Sequence, residues 1–219
     1  MIPKVGEARV HPSPRESRRE RERVLRREDI LTAAAEIFAE KGFHEAQVSQ
    51  IATRAEVSLA SVYQHFPSKE SMFDAVLENA ASAIDVAVRQ RVEAIADPTK
   101  RLLAVGDALF ACFEQNRDLL RIYARVSHGR PWRATASELG GRTRKISDDF
   151  TAWLATLARD AEREGALRGL DPDVFASALI GAVVTLALRA VESDEPHALD
   201  RVAPQLHALF ARTLGGSAS

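Results

Sequence analysis

Cysteine is nearly absent from this sequence of 219 residues, because Cys112 is the only one. A single cysteine excludes an internal disulfide bond and any metal site built from several cysteines, so the chain fits a reducing compartment. Cys112 stands between Phe110 and Phe113 in the sequence, a setting in which buried packing is expected ahead of redox sensing. We expect no metal and no cofactor.

Turn-forming residues and strand patterns are also scarce. The chain has 11 glycines and 9 prolines, and no segment alternates β-branched and polar residues between turn dipeptides. Helix formers dominate, and an apolar content of 46% suffices for the core of one large or two modest domains. The N-terminus carries no apolar signal core. We therefore predict an all-α, cytoplasmic protein.

A large net charge is lacking as well. The formal charge of −1 argues against general attraction to nucleic acid, so a basic surface has to be local. Such a surface lies in a predicted N-terminal arm, residues 1–27, disordered at its start and basic at 15–27, with seven arginines and three glutamates. Two interpretations stay open: an arm that contacts DNA through residues such as Arg26 and Arg27, or a salt-bridged helical extension.

One stretch, residues 48–73, organises the rest of the chain. Apolar residues recur there at helical spacing up to Ala55, stop at 56–58, and resume from Leu59 to Phe66. A turn of about three residues therefore joins two short helices, as in a DNA-reading helix pair. Ser58 is the candidate N-cap of the second helix, and Pro67 ends it.

With the segment before it, this stretch resembles the N-terminal DNA-binding domain of the TetR (tetracycline-repressor) family of transcription regulators. The resemblance covers residues 30–73 and is most specific at Tyr63, His65, Phe66, Ser68, Lys69 and Glu70. It implies a three-helix DNA-binding domain, 28–73, followed by a helical effector-binding and dimerisation domain, 74–219. It also implies phosphate contacts from Tyr63, His65 and Lys69, and positions near the base edges for Gln47, Leu59, Ala60, Ser61 and Gln64. The alternative for His65 is a structural residue at a helix end.

Three positions depart from the family pattern. Glu56 replaces a common glycine where the turn favours a left-handed backbone, which costs a non-glycine residue roughly 1 kcal/mol. Ala46 and Gln47 stand where an N-cap threonine is usual, so the first helix of the pair lacks its strongest cap. Ala60 also replaces a common glycine. These changes affect DNA affinity more than the fold.

The remaining periodicity predicts a series of helices. The first should run over 29–41 with Gly42 just past its end, and a long helix over 68–96 should enter the second domain. Further helices are expected over 98–115, 118–126, 134–164, 174–188 and 200–214. Because both domains share the 68–96 helix, a packing change in the second domain can move the second helix of the DNA-reading pair, 59–66, which we call the reading helix.

The large aromatics of the second domain suggest a ligand cavity, because ligand pockets are mainly apolar. Ordinary core packing is the alternative for each of them singly. The candidate ligand-binding residues are Phe110, Phe113, Tyr123, His128, Trp132 and Trp153.

Residues 174–188 are apolar nearly all round but too short to span a bilayer, so this helix must be buried. With the last helix it is expected to form half of a four-helix dimer interface, the alternative being the core of a monomer. The candidate interface residues are Phe175, Leu179, Ala182, Leu186, Leu206 and Phe210.

Together these features predict a homodimeric, ligand-responsive, sequence-specific transcription regulator. We expect it to act as a repressor that binds a near-palindromic double-stranded operator and is released by a small-molecule effector. The alternative is a DNA-binding protein without such an effector that answers to a protein partner. An enzyme is not expected, because the sequence has no nucleophile elbow, phosphate-binding glycine loop or His-Glu-x-x-His motif.

Overall fold

The computed structural model describes residues 14–126, 141–193, 195 and 198–214, and every regular element in those ranges is a helix. This confirms the all-α prediction. The helices are α1 (Pro14–Glu45), α2 (Val48–Arg54), α3 (Leu59–His65), α4 (Lys69–Glu93), α5 (Pro98–Gln115), α6 (Arg117–Val126), α7 (Gly141–Arg163), α8 (Pro172–Glu192) and α9 (Ala198–Thr213).

The first helix starts well before the expected residue 29. Its added turns are rich in arginine and glutamate, which favour helix and pair along it, as Arg18 does with Glu22 at 2.9 Å. The helical extension that stood as one of two interpretations is therefore present from Pro14 onwards. Near the other end Gly42 has φ 78° and ψ 164°, which interrupts the helix where the sequence predicted its end.

Two separate hydrophobic cores hold the chain. The first is formed by α1 to α3 and the start of α4, and its aromatic centre is Phe38, whose ring meets that of Phe73 edge-on at 5.3 Å. The second is formed by α5 to α9 and the end of α4. Helix α4 contributes Met72 to the first core and Val88 to the second, so it runs through both as expected.

Helix α8 lies at the centre of the second core and packs against α5, α6, α7 and α9. Asp171 caps it by accepting hydrogen bonds from the N–H groups of Asp173 and Val174, and Pro172 occupies its first turn. By length and composition alone this 21-residue helix could cross a membrane. That evidence is weak, because the core helix of a soluble protein passes the same test and Leu179 and Val183, in its middle, are buried in this core.

Cys112 is a packing residue of this second core. It is 2% exposed, and burial raises the pKa of its thiol despite the nearby Arg91 guanidinium. A thiol held protonated by burial is a poor nucleophile.

Candidate nucleic-acid interface and effector cavity

Helices α2 and α3 form the predicted helix-turn-helix. Ile51 and Ala52 of α2 and Val62 of α3 are buried, while Ser58 accepts a hydrogen bond from the Ser61 N–H at 3.1 Å. Ser58 is therefore the N-cap that the sequence predicted.

The opposite face of α3 points to solvent. Leu59 is 44% and Tyr63 49% exposed, high values for large apolar or aromatic side chains in a folded domain. Ala60 and Gln64 are exposed, Ser61 is half-buried, and Gln47 lies exposed just ahead of α2. The residues expected nearest the base edges are thus accessible, and their contact with DNA stays a prediction.

Gln47 is the N-cap residue of α2, and its backbone carbonyl accepts a hydrogen bond from the Gln50 N–H at 3.0 Å. The N–H of Gln47 donates to the side-chain oxygen of Gln50 at 3.3 Å, which is the reciprocal half of a capping box. The missing N-cap threonine is therefore partly replaced from within α2.

Arg54 links α2 to α1 through salt bridges that were not predicted from the sequence. Its guanidinium lies 2.7 Å from a Glu36 carboxylate oxygen and 3.1 Å from one of Glu40. Both acids lie on α1 at a spacing of four residues, which puts them on one face. That spacing was the available signal, but nothing local pointed to Arg54 as their partner.

The turn between α2 and α3 has the left-handed residue that the family pattern requires. Glu56 has φ 55°, and the Val57 N–H closes the turn on the Ala52 carbonyl at 3.0 Å. A non-glycine side chain in this region is strained.

Replacing Glu56 with glycine is therefore expected to raise the free energy of unfolding by about 0.5–1 kcal/mol, since relief of strain exceeds the added freedom of the unfolded chain. Chemical denaturation of the full chain measures it. Glu45→Gly, at the end of α1, is the comparison variant and should not stabilise. A clear loss on Glu56→Gly would contradict a strained turn.

The arginines of α1 lie beside the end of α3. The guanidinium of Arg27 stands 5.0 Å from the Phe66 ring centre. Partial burial lowers the pKa of His65, and the charges of Arg23, Arg26 and Arg27 lower it further. A local basic surface thus joins the extension of α1 to the C-terminal end of the reading helix.

Lys69 has different partners from those expected of a phosphate contact. Its ammonium group donates to the backbone carbonyls of Phe43 at 2.7 Å, His44 at 3.2 Å and Ala46 at 3.2 Å. It also lies 4.6 Å from the Phe43 ring centre.

A cavity of about 220 Å³ opens between α4, α5, α6, α7 and α8. Its walls are largely apolar, with Leu77 and Ile84 from α4 and Ile180 and Val184 from α8. The one carboxylate among its described lining residues is that of Asp85, which pairs with Arg89 at 2.7 Å. The neutral polar groups are Asn116, Tyr123, Thr143 and Ser147.

The candidate ligand-binding aromatics do not all reach this cavity. Phe113 and Tyr123 line it. Phe110 instead faces α9 beside Phe210, and Trp153 stacks on the Arg89 guanidinium at 4.4 Å outside the lining. His128 and Trp132 lie outside the described residues. Sequence reasoning missed the aliphatic walls on α8, because any apolar residue of a buried helix could line a cavity or fill the core.

The predicted interface residues also divide into two sets. Phe175, Leu179 and Phe210 are buried inside the protomer, where the rings of Phe175 and Phe210 meet at 5.3 Å, and their place at a dimer interface stays a prediction. Ala182 and Leu186 lie on an open apolar groove between α8 and α9, and the buried Leu206 also lines this groove. The other groove residues include Val174, Ala178, Gly181, Thr185 and Leu209.

A helix-turn-helix with an exposed reading face, joined by one continuous helix to a second helical domain with an apolar cavity, defines a class of DNA-binding regulators. The model of bacterial regulatory proteins of the tetR family matches residues 30–76. The nucleoid occlusion factor SlmA of Aliivibrio fischeri is 30% identical over 171 residues, which cover 77% of this chain and 85% of that protein. The chain belongs to the TetR family, and it is a DNA-binding transcription regulator of that family.

Two further proteins are similar to this chain, one in part of its sequence and one in its fold. The transcriptional activator FasR of Mycolicibacterium smegmatis is 37% identical over 97 residues, which span 44% of each chain. The transcriptional regulator FadR of Bacillus subtilis, solved in complex with stearoyl-CoA, superimposes with a TM-score of 0.70 at 20% identity, covering 84% of this chain and 97% of that one. At that identity the likeness shows the fold.

Proposed function

We propose that this chain is a homodimeric repressor that binds a near-palindromic operator and releases it when an apolar effector enters the cavity between α4 and α8. The observation that carries this proposal is the position of Leu77. Its side chain lines the cavity and is also a buried member of the core of the DNA-binding domain. An occupant of the cavity therefore contacts the packing that fixes the reading helix.

Tyr123 supplies a second connection. It lines the cavity from α6 and packs against both hydrophobic cores, while α6 itself packs against α1. A ligand that prefers a cavity with displaced α4 and α6 would shift the orientation of α1 to α3. The change in DNA affinity cannot exceed the ligand's differential affinity for the two states.

We propose an acyl chain as the part of the effector that occupies the cavity. The walls at Leu77, Ile84, Ile180 and Val184 are aliphatic, and a chain of methylene groups gains most from such a surface. The presence of stearoyl-CoA in the FadR complex supports the class. A series of acyl-CoA esters of increasing chain length, with coenzyme A alone as control, should release bound DNA in a length-dependent way. Release by none of them would contradict this class of effector.

His65 makes the proposed DNA contact dependent on pH. DNA phosphates would offset the neighbouring arginine charges and raise the lowered pKa of His65, so DNA binding would be coupled to proton uptake at His65. Affinity should therefore fall as pH rises through the pKa of His65 in the complex. Measured DNA affinity across this range should lose that dependence in His65→Gln and keep it in His207→Gln, in the second domain. A pH dependence in His65→Gln equal to that of the wild-type chain would show that His65 does not contact DNA.

The alternative of a regulator that answers to a protein partner has one observation in its favour. SlmA, the relative that matches over most of its length, is named a nucleoid occlusion factor. On that alternative the apolar cavity has no ligand, and the acyl-CoA series leaves DNA binding unchanged.

The direction of regulation needs its own test, because FasR is named an activator and its match covers only part of each chain. We propose repression through occupation of a promoter. In a purified transcription reaction, added protein should lower transcript yield from a template that carries its selected site. A rise in yield would establish activation instead.

A further inference from the structure

The ammonium group of Lys69 lies in a corner where it meets three backbone carbonyls and one aromatic ring. Its three acceptors belong to Phe43, His44 and Ala46, within 3.2 Å, and an ammonium group has three N–H donors. Every donor of Lys69 therefore has a partner inside the protein.

These carbonyls belong to the place where α1 ends and α2 begins. Gly42 breaks the helical backbone there, and carbonyls at a helix end lack partners within the helix. A cation at a helix C-terminus also interacts favourably with the helix dipole. Lys69 thus serves α1 as a C-terminal cap from a residue at the start of α4.

The surroundings hold the Lys69 side chain in this corner. Its ammonium faces the Phe43 ring, which packs on Phe73 at a centroid distance of 5.0 Å, and Ala46 is 3% exposed. A phosphate oxygen could be reached only by giving up one of the three carbonyl bonds. Giving up the bond to Phe43 or Ala46 would leave a partly buried carbonyl without a partner, and the desolvation cost of that carbonyl opposes the exchange.

We propose that Lys69 is a positioning residue, which locks the corner between α1 and α2 to the first turn of α4 and makes no phosphate contact. This revises the role that the family resemblance implied for Lys69. It follows that α1, the entry to α2 and the start of α4 move as one unit when α4 moves. The inference rests on DNA binding by the chain and is independent of the effector.

The test separates the two roles by salt dependence and thermal stability. Log affinity falls linearly with log salt concentration, and each phosphate contact that is lost makes this slope shallower by about 0.9. Lys69→Met keeps the apolar stem and removes the donors. Its binding to a random-sequence duplex should weaken with an unchanged slope, and its melting temperature should fall by at least about 2 °C. Arg26→Gln removes one charge from the basic surface of α1 and is the comparison for a changed slope, and Lys41→Met is the control for an exposed lysine.

Lys69→Arg keeps the test decisive if Lys69→Met does not fold. Arginine retains the charge that a phosphate contact needs, but its planar fork cannot direct three donors at three converging carbonyls. The positioning role predicts a lower melting temperature for Lys69→Arg with a wild-type slope. A slope reduced by about one contact in Lys69→Met, or a wild-type melting temperature in Lys69→Arg, would overturn the proposal. Failure of the wild-type chain to bind duplex would instead count against its function as a DNA-binding regulator.

Discussion

Gly181→Arg is expected to turn the proposed dimer into a folded monomer with at least about 100-fold weaker operator binding. A Cβ atom at Gly181 meets no other atom within 4 Å in the protomer, so the substitution fits the isolated chain. Within a helix it even removes a glycine penalty of about 0.8–1 kcal/mol. In a dimer that packs α8 and α9 against a second copy, however, the guanidinium would be buried without a partner.

The loss of affinity follows from the geometry of two-fold binding. Two linked reading helices convert the second half-site contact into an intramolecular step, which is worth about 10²–10⁴-fold. Sedimentation velocity and operator titration measure both effects. Gly141→Arg is a matched control, since a Cβ atom there also meets nothing within 4 Å and Gly141 does not line the groove. If the Gly181→Arg protein stays dimeric, the groove between α8 and α9 is not the dimer interface.

Val184→Phe is expected to weaken effector binding by at least about tenfold while DNA affinity stays at the wild-type value. Val184 lines the cavity from α8, and a cavity of about 220 Å³ has little room for both a phenyl ring and a ligand. Val184 packs against the second core on α8, so we expect the larger side chain to take up ligand space without displacing α4 and α6, which is the shift proposed for the effector.

The measurement for Val184→Phe is the concentration of acyl-CoA that releases half of the bound DNA. Val86→Phe is its control, because Val86 is 51% exposed on α4 and lies outside the cavity lining. An unchanged release concentration in Val184→Phe would place the effector elsewhere. Loss of DNA binding by Val184→Phe itself would show that the cavity cannot be filled without moving α4.

Local signals made most of the helices and several of their ends predictable. Pro98 and Pro172 opened α5 and α8, Ser58 capped α3, and Gly42 interrupted α1, because each of these effects depends on a residue and its immediate neighbours. The left-handed backbone at Glu56 was predictable from the family pattern for the same reason.

The division of α8 between core and surface was not predictable. A helix that is apolar all round has no periodicity to mark its outer face, so the sequence did not separate Phe175 and Leu179, which are buried in the protomer, from Ala182 and Leu186 on the open groove. The partners of Lys69 were hidden for another reason. Backbone carbonyls carry no residue-specific signature, and they lie 23 to 26 positions away in the chain.

Sequence-specific binding by a dimer can be tested by selecting bound duplexes from a random DNA library and sedimenting the complex. We expect enrichment of an inverted repeat with half-sites about 34–36 Å apart, bound by an even number of protomers. No enrichment over random DNA, or a single half-site bound by one protomer, would contradict a dimeric, sequence-specific regulator.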